Sequence, residues 1–443
     1  MKPNINLEVI QLAKVIPFQG YTYNEEKIDD LGKVMAPPYD AITPENAEEY
    51  RQSSEYNSIR LVLPTTEHGD DIYSSAGNCM QKWVDENILV RDKTPAIYLY
   101  EQSVISNGEL RFNRGFIGLL ELTDYSEGIV THCEEPSTDS KNDRFDIIKA
   151  TQANASMISC MYVDKERKMK DIILSVCENN SDIEFEIDGL VQRVWKIDYE
   201  PLIDAITDFL KEKLIYIVDG HNRYEAALEY KKSKMQSNDY NPNATYNYIL
   251  AHFCEANEGG KSQLPYHRLV KFPRGFREEG FTSSMQDIFK IEKIIVDTVD
   301  DDLVNTMRKQ IATQRKETKI ALFCGGNYFY RLTLKDYTAV KELLPDKSDV
   351  YCSLDITVLN KLIFENIINI TDENMQERVF YTRSASEGVN AVDAQEYGCM
   401  FMLNPVKLSQ ISEVTLAGEK MPKRSVCIFP KPATGVVIHK FYE

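Results

Sequence analysis

No CxxC pair occurs in this sequence. Its nine cysteines, Cys79, Cys133, Cys160, Cys177, Cys254, Cys324, Cys352, Cys399 and Cys427, are an odd number scattered along the chain. That pattern excludes a disulfide framework or a zinc ribbon and predicts buried free thiols in a reducing compartment. None of the six histidines sits at the close spacing of a zinc ligand pair, so a structural metal has no support. Basic runs are absent too. A formal charge of −18 and a pI near 5.0 repel phosphate polymers and exclude nucleic acid as the default partner. No segment approaches the roughly 20 apolar residues of a membrane span. The opening MKPNINLEVIQLAKVIPF has neither an apolar signal core nor an Arg-rich amphipathic character, so the expectation is a cytoplasmic protein with no membrane partner. Repeats and low-complexity tracts are missing as well.

What is present is an ordinary globular composition, 43% apolar and 27% charged, in 443 residues, more than one core accommodates. Three parts are expected: residues 1–95 carrying the PPYD loop, a middle module 96–275 closed by Pro273 and Gly275, and a C-terminal unit 276–443. Strands and helices mix without sustained βαβ alternation, which favours an α+β class over a doubly wound sheet. Thr43 and Pro44 predict a helix start after PPYD. PAIYLYEQSVI and LRFNRGFIGLLEL, either side of SNGE, predict a hairpin. KIALFCGGNYFYRLTL predicts a second one.

The chemistry concentrates in YIVDGHNRYEAALEY. Leu214 to Val218 is short and evenly apolar, which predicts an interior strand. Tyr224, Ala227 and Leu228 recur at helical spacing. Gly220 permits the tight turn between them, and the new helix directs its unpaired N–H groups at whatever lies above it. Such a junction is an anion site, to which His221 and Arg223 add donors. Asp219 at the strand end is a candidate metal ligand or proton acceptor. The plainer reading is a capping Asp, a turn Gly and an Arg in a surface ion pair.

The segment DGHNRYEAAL is similar to the A-D-G-H-H-R-Y-E-T-A-L signature of the family catalogued as domain of unknown function 1015. APPYDAI, NDRFDIIKATQAN, LPYHRLV, LDITVLN and GEKMPKRSVCIFPK resemble further family segments in the same order, from Ala36 to Lys431. The D-G-H-H-R loop in turn resembles the phosphate loop of the ParB and sulfiredoxin superfamily, which includes free serine kinases. That resemblance implies a central ParB/sulfiredoxin-like nucleotide module with flanking N-terminal and C-terminal α+β regions. It also implies ATP, or ADP as donor, with Mg²⁺, and a small hydroxyl compound as acceptor, free L-serine first. The terminal phosphates would rest on Gly220, His221, Asn222 and Arg223. Two departures stand out: Asn222 replaces the second histidine, and HCEEPS replaces H-E-x-T, which moves the acid to Glu134 or Glu135.

Phosphoryl transfer needs phosphate donors, charge neutralisation and a carboxylate that aligns the attacking oxygen. Asp219, Glu134, Glu135 and His221 are the catalytic candidates, with Asp219 also the metal candidate. Arg144 and Lys141 would neutralise phosphate charge, unless Arg144 pairs with Asp143 or Asp146 on its own helical turn. Tyr39, Asp40, His132 and His267 are substrate-binding candidates. PPYD reads equally as a rigid turn, and an extended backbone projects His267 and Arg268 to opposite sides. Lys423, Arg424 and Lys431 form the notable basic cluster and read as a solvated face. Cys133 beside His132 reads as a plain thiol. The rival reading is a non-catalytic nucleotide-binding or regulatory protein, and a homodimer is a possible state.

Overall fold

Alternating apolar residues either side of Asn107 and Gly108 form the longest strand pair, Ile97–Ser106 with Glu109–Glu121, antiparallel from Tyr98 opposite Ile117 to Ser106 opposite Glu109. The computed structural model describes residues 13–66, 71–106, 109–132, 138–237, 240–256, 262–272, 277–297, 301–312, 317–371, 373–425 and 428–442. The boundary expected at Pro273 and Gly275 lies outside the described residues, as do Cys133, Glu134 and Glu135. The chain forms two compact units, Met1–Ser262 with Ile428–Glu443, and Gln263–Cys427. Both mix helices with sheets, in agreement with the α+β class expected.

A nine-stranded mixed sheet builds the first unit. Its order is Val130–His132, Ile215–Asp219, Ile158–Tyr162, Tyr248–Glu255, Glu109–Glu121, Ile97–Ser106, Leu190–Ile197 and Ile183–Ile187, with Val15–Ile16 alongside Glu109–Glu121. Val130–His132 runs parallel to Ile215–Asp219, and Ile158–Tyr162 runs parallel to Tyr248–Glu255. Side chains two apart share a face, and both faces are buried. Leu99, Phe116, Ile158, Ile217, Ala251 and Phe253 pack with residues of helices Glu200–Lys211 and His221–Met235. Tyr98, Ile117, Tyr248 and Leu250 pack on the other face against Met80 and Trp83 of helix Ile72–Asp85 and against Val436, Val437 and Ile438. The end of the chain is therefore part of this unit's core.

The second unit carries a six-stranded sheet ordered Phe289–Ile295, Tyr328–Leu334, Lys319–Phe323, Cys399–Met402, His267–Val270 and Val379–Thr382, antiparallel throughout. Helices Asp301–Ile311 and Ala385–Asp393 cover one face through Leu303, Met307, Val389 and Val392.

Candidate functional site

The strand Ile215–Asp219 is interior and buried, as its apolar run predicts. Its last residue is not where regular alternation puts it. Tyr216 pairs with Met161 and Ile217 with Cys160, but Asp219 pairs with Ser159, which leaves Val218 as an extra residue. Such a bulge re-aims the side chain that follows it. Gly220 then takes a left-handed conformation, φ +86°, as the N-cap of the 15-residue helix His221–Met235. A Cβ here would lie 2.8 Å from Ile158 Cγ2 and 2.9 Å from Arg223 Nε, so only glycine fits both the backbone and the space.

Four segments converge on Asp219. Arg223, one helical turn on, donates from an NH2 nitrogen to Asp219 Oδ2 at 2.6 Å and from the other to the Met157 carbonyl at 2.7 Å. Its Nε is buried without a hydrogen-bond partner among the described residues. Lys431 comes from the C-terminal segment, with Nζ 2.6 Å from Asp219 Oδ1, and also pairs with Asp40 of the PPYD loop. Burial alone would raise the Asp219 carboxyl, but the charges of Lys431 and Arg223 outweigh it and hold the group at about 2. The reverse field raises the Lys431 ammonium against the burial that opposes it. This corrects two expectations. Lys431 lies on no solvated face, its side chain being only 9% exposed. The cations beside the turn are balanced by Asp219 and Asp40, so the net charge of the cluster is close to zero rather than strongly positive.

The PPYD loop contributes more than stiffness. The Tyr39 ring lies 4.0 Å from the Arg144 guanidinium carbon and 5.8 Å from that of Arg223. Arg144 is buried, pairs with Asp143, and donates to the Val62 carbonyl at 2.7 Å. The plainer reading of Arg144 thus describes its partner, while its flat face remains against Tyr39. Lys141 spends its charge on Glu229 of the junction helix, 2.7 Å away. His221 turns back so that Nε2 is 3.0 Å from the Ile217 carbonyl oxygen, donating within its own strand-helix corner. Asp219 to Asn222 are all partly exposed, so the turn reaches solvent.

His132 ends the edge strand opposite Ile217 in the parallel ladder. Parallel strands finish at the same end of a sheet, so the chain enters HCEEPS at the edge where Asp219 leaves. His267 belongs to the second unit. It is buried, and burial first, then Arg268 and Arg308, push it down to about 3, so it is neutral and accepts from the Leu403 N–H at 3.3 Å. Arg268 beside it is equally buried and donates to the Arg424 carbonyl at 2.8 Å.

The structure thus brings Tyr39, Asp40, Arg144, Asp219, Gly220 and Arg223 together in one unit and adds Lys431. Its signal in the sequence was the terminal PK of SVCIFPK, which charge counting assigned to the surface.

Residues 15–357 match the family described as protein of unknown function (DUF1015). No curated protein matches the chain. Solved structures similar to it include a free serine kinase in complex with AMP, 9% identical, TM-score 0.34, covering 70% of this chain and 86% of that one. A conserved hypothetical protein from Pyrococcus furiosus is 10% identical, TM-score 0.31, over 70% of this chain and 89% of that one. SbnI with C-terminal truncation from Staphylococcus aureus is 11% identical, TM-score 0.35, over 73% and 87%. At this distance a shared outline says nothing of this chain's chemistry.

Proposed function

Because the chain belongs to the DUF1015 family, whose name carries no activity, we propose a function from the junction itself: ATP-dependent phosphorylation of a small-molecule hydroxyl, free L-serine first. One observation carries this reading. A bulged strand and a left-handed glycine set a helix N-terminus, partly open to solvent, beside the cations of Arg223 and Lys431. The backbone donors of such a terminus suit a phosphate, and its first turn holds no acidic residue to repel one. Tyr39, packed on Arg144 and Arg223, would place the substrate. Glu134 or Glu135, following the edge strand that ends at His132, would align the attacking hydroxyl.

The described residues do not fit a protein-held Mg²⁺. No group of three or more His, Cys, Asp or Glu side chains converges among them, and the Lys431 ammonium occupies the place between Asp40 and Asp219 where a dication would sit. A metal role for Asp219 requires Lys431 to give way. Magnesium is therefore taken as part of the nucleotide substrate.

Asp219 itself, held at about 2, is a poor proton acceptor at neutral pH. That value, with Asn222 in place of an imidazole, favours the second reading, a nucleotide-binding protein without turnover. Calorimetry with ATP and Mg²⁺, run beside ADP release in the presence of L-serine, other hydroxy amino acids and sugars, separates the two. Turnover that falls about a hundredfold or more in Arg223→Ala supports the kinase. Binding without ADP release across the acceptor panel selects the second reading, and absence of binding removes both.

A further inference from the structure

Two thiols oppose each other across the sheet of the second unit. Strands Lys319–Phe323 and Cys399–Met402 pair antiparallel, with Leu322 opposite Phe401 and Phe323 opposite Met400. One step further in the same register sets Cys324 opposite Cys399. Alternation fixes their side: Phe323 and Met400 both enter the helix-covered core, so Cys324 and Cys399 both point to the other face. The Cys324 thiol lies close enough to that of Cys399 to raise its pKa. Opposed residues of an antiparallel pair hold their Cα atoms about 4.5–5.5 Å apart, within the roughly 4.4–6.8 Å that a disulfide spans. The backbone just past Cys324 turns through Gly325 and Gly326 at φ +106° and +82°, which lets the sulfur adjust without disturbing the strand.

We propose that Cys324 and Cys399 are a redox modification site, closed to a reversible disulfide by hydroperoxides. Cys324 is partly exposed and Cys399 is fully buried, so the two sulfurs take different roles. Burial raises the Cys399 thiol well above its ordinary range, and the Cys324 thiol beside it adds to this, which disfavours Cys399 as the sulfur that attacks first. The Cys324 thiolate attacks one peroxide oxygen. The O–O bond breaks, water leaves after protonation, and Cys324 becomes a sulfenic acid. Cys399 then gives up its proton and attacks that sulfur. The S–S bond forms, and the departing hydroxide takes the proton to give a second water. Two electrons pass from the thiols to one hydrogen peroxide. A dithiol such as dithiothreitol or reduced thioredoxin reverses the step by exchange.

The experiment uses the full chain, purified reduced and then freed of reductant. After hydrogen peroxide, remaining thiols are alkylated and unreduced peptides are mapped by mass spectrometry. The expected map shows one cross-linked peptide joining Cys324 to Cys399, loss of two of the nine thiols, and recovery of both with dithiothreitol. In Cys399→Ser, Cys324 should accumulate as a sulfenic acid that dimedone traps. Alkylation of both residues after peroxide overturns the proposal. So does oxidation of Cys324 to the sulfinic acid in the wild-type chain while Cys399 stays alkylatable. The wild-type map decides even where a variant folds poorly.

Discussion

Lys431 is the side chain on which the charges of the junction balance. Its ammonium serves Asp219 and Asp40 together and is itself nearly buried, so Lys431→Met takes a cation from both carboxylates and leaves Asp219 with Arg223 alone. Removing one partner of a buried pair costs about 3–5 kcal/mol, and urea denaturation should show a loss of that order. Lys431→Met combined with Asp219→Asn should recover part of it. The acid limb of the stability profile gives a second check. The folded Asp219 carboxyl lies at about 2 against an ordinary 3.8. Its stabilisation is therefore complete above about 4 and lost as pH falls toward 2, and it amounts to about 2 kcal/mol. In Lys431→Met the main cause of that depression is gone, so the loss of stability between about pH 4 and 2 should be smaller than in the wild-type chain. Gly220→Ala combines a left-handed residue with a Cβ close to Ile158 and Arg223. About 1–3 kcal/mol of destabilisation is expected, together with weakened ATP binding by calorimetry.

Among the elements, the C-terminal segment does more for the first unit than its length suggests. Val436, Val437 and Ile438 are fully buried, Thr434 exchanges backbone bonds with Ala36, and His439 and Lys440 pair with Asn154 and Ala153. Burying such side chains contributes about 1.5–3 kcal/mol each, so three of them rival the stability of a typical domain. A chain stopped at residue 427 should leave the first unit open to limited proteolysis while the second resists. Local signals in the sequence were enough for several elements. Thr43 accepts from the Asn46 N–H at the start of Pro44–Ser53, the two hairpins form where alternation flanks turn residues, and the strand-to-helix junction stands at Gly220. Three features had no local signal. The bulge at Val218 depends on the register against Ser159, a residue of another strand. Lys431 reaches Asp219 only because the end of the chain returns to this sheet. His267 is silenced by burial, which its own neighbours in sequence do not encode.

At the scale of the whole molecule, each unit encloses a histidine kept neutral. Burial pushes His439 down to about 3 in the first, as burial and two arginines do for His267 in the second. A histidine depressed in the folded state binds its proton first in the unfolded chain. Stability therefore falls as pH drops below 6.5, continues to fall toward 3, and is level above that window. His267→Asn retains an acceptor for the Leu403 N–H without the titration. It should flatten the part of this slope that belongs to the second unit, read by denaturation at pH 7, 5.5 and 4.

The order of the units along the chain has a further effect during synthesis. Residues up to Ser262 emerge first, yet the lysine and the hydrophobic strip that complete their core are translated only after the whole of Gln263–Cys427. At about 5–20 residues per second, the nascent first half waits on the order of ten seconds with one sheet face only partly covered and Asp219 short of one of its two counter-ions. The inserted half can mature on the ribosome before the strip arrives, so a chain that stalls late would expose an unfinished sheet to chaperones.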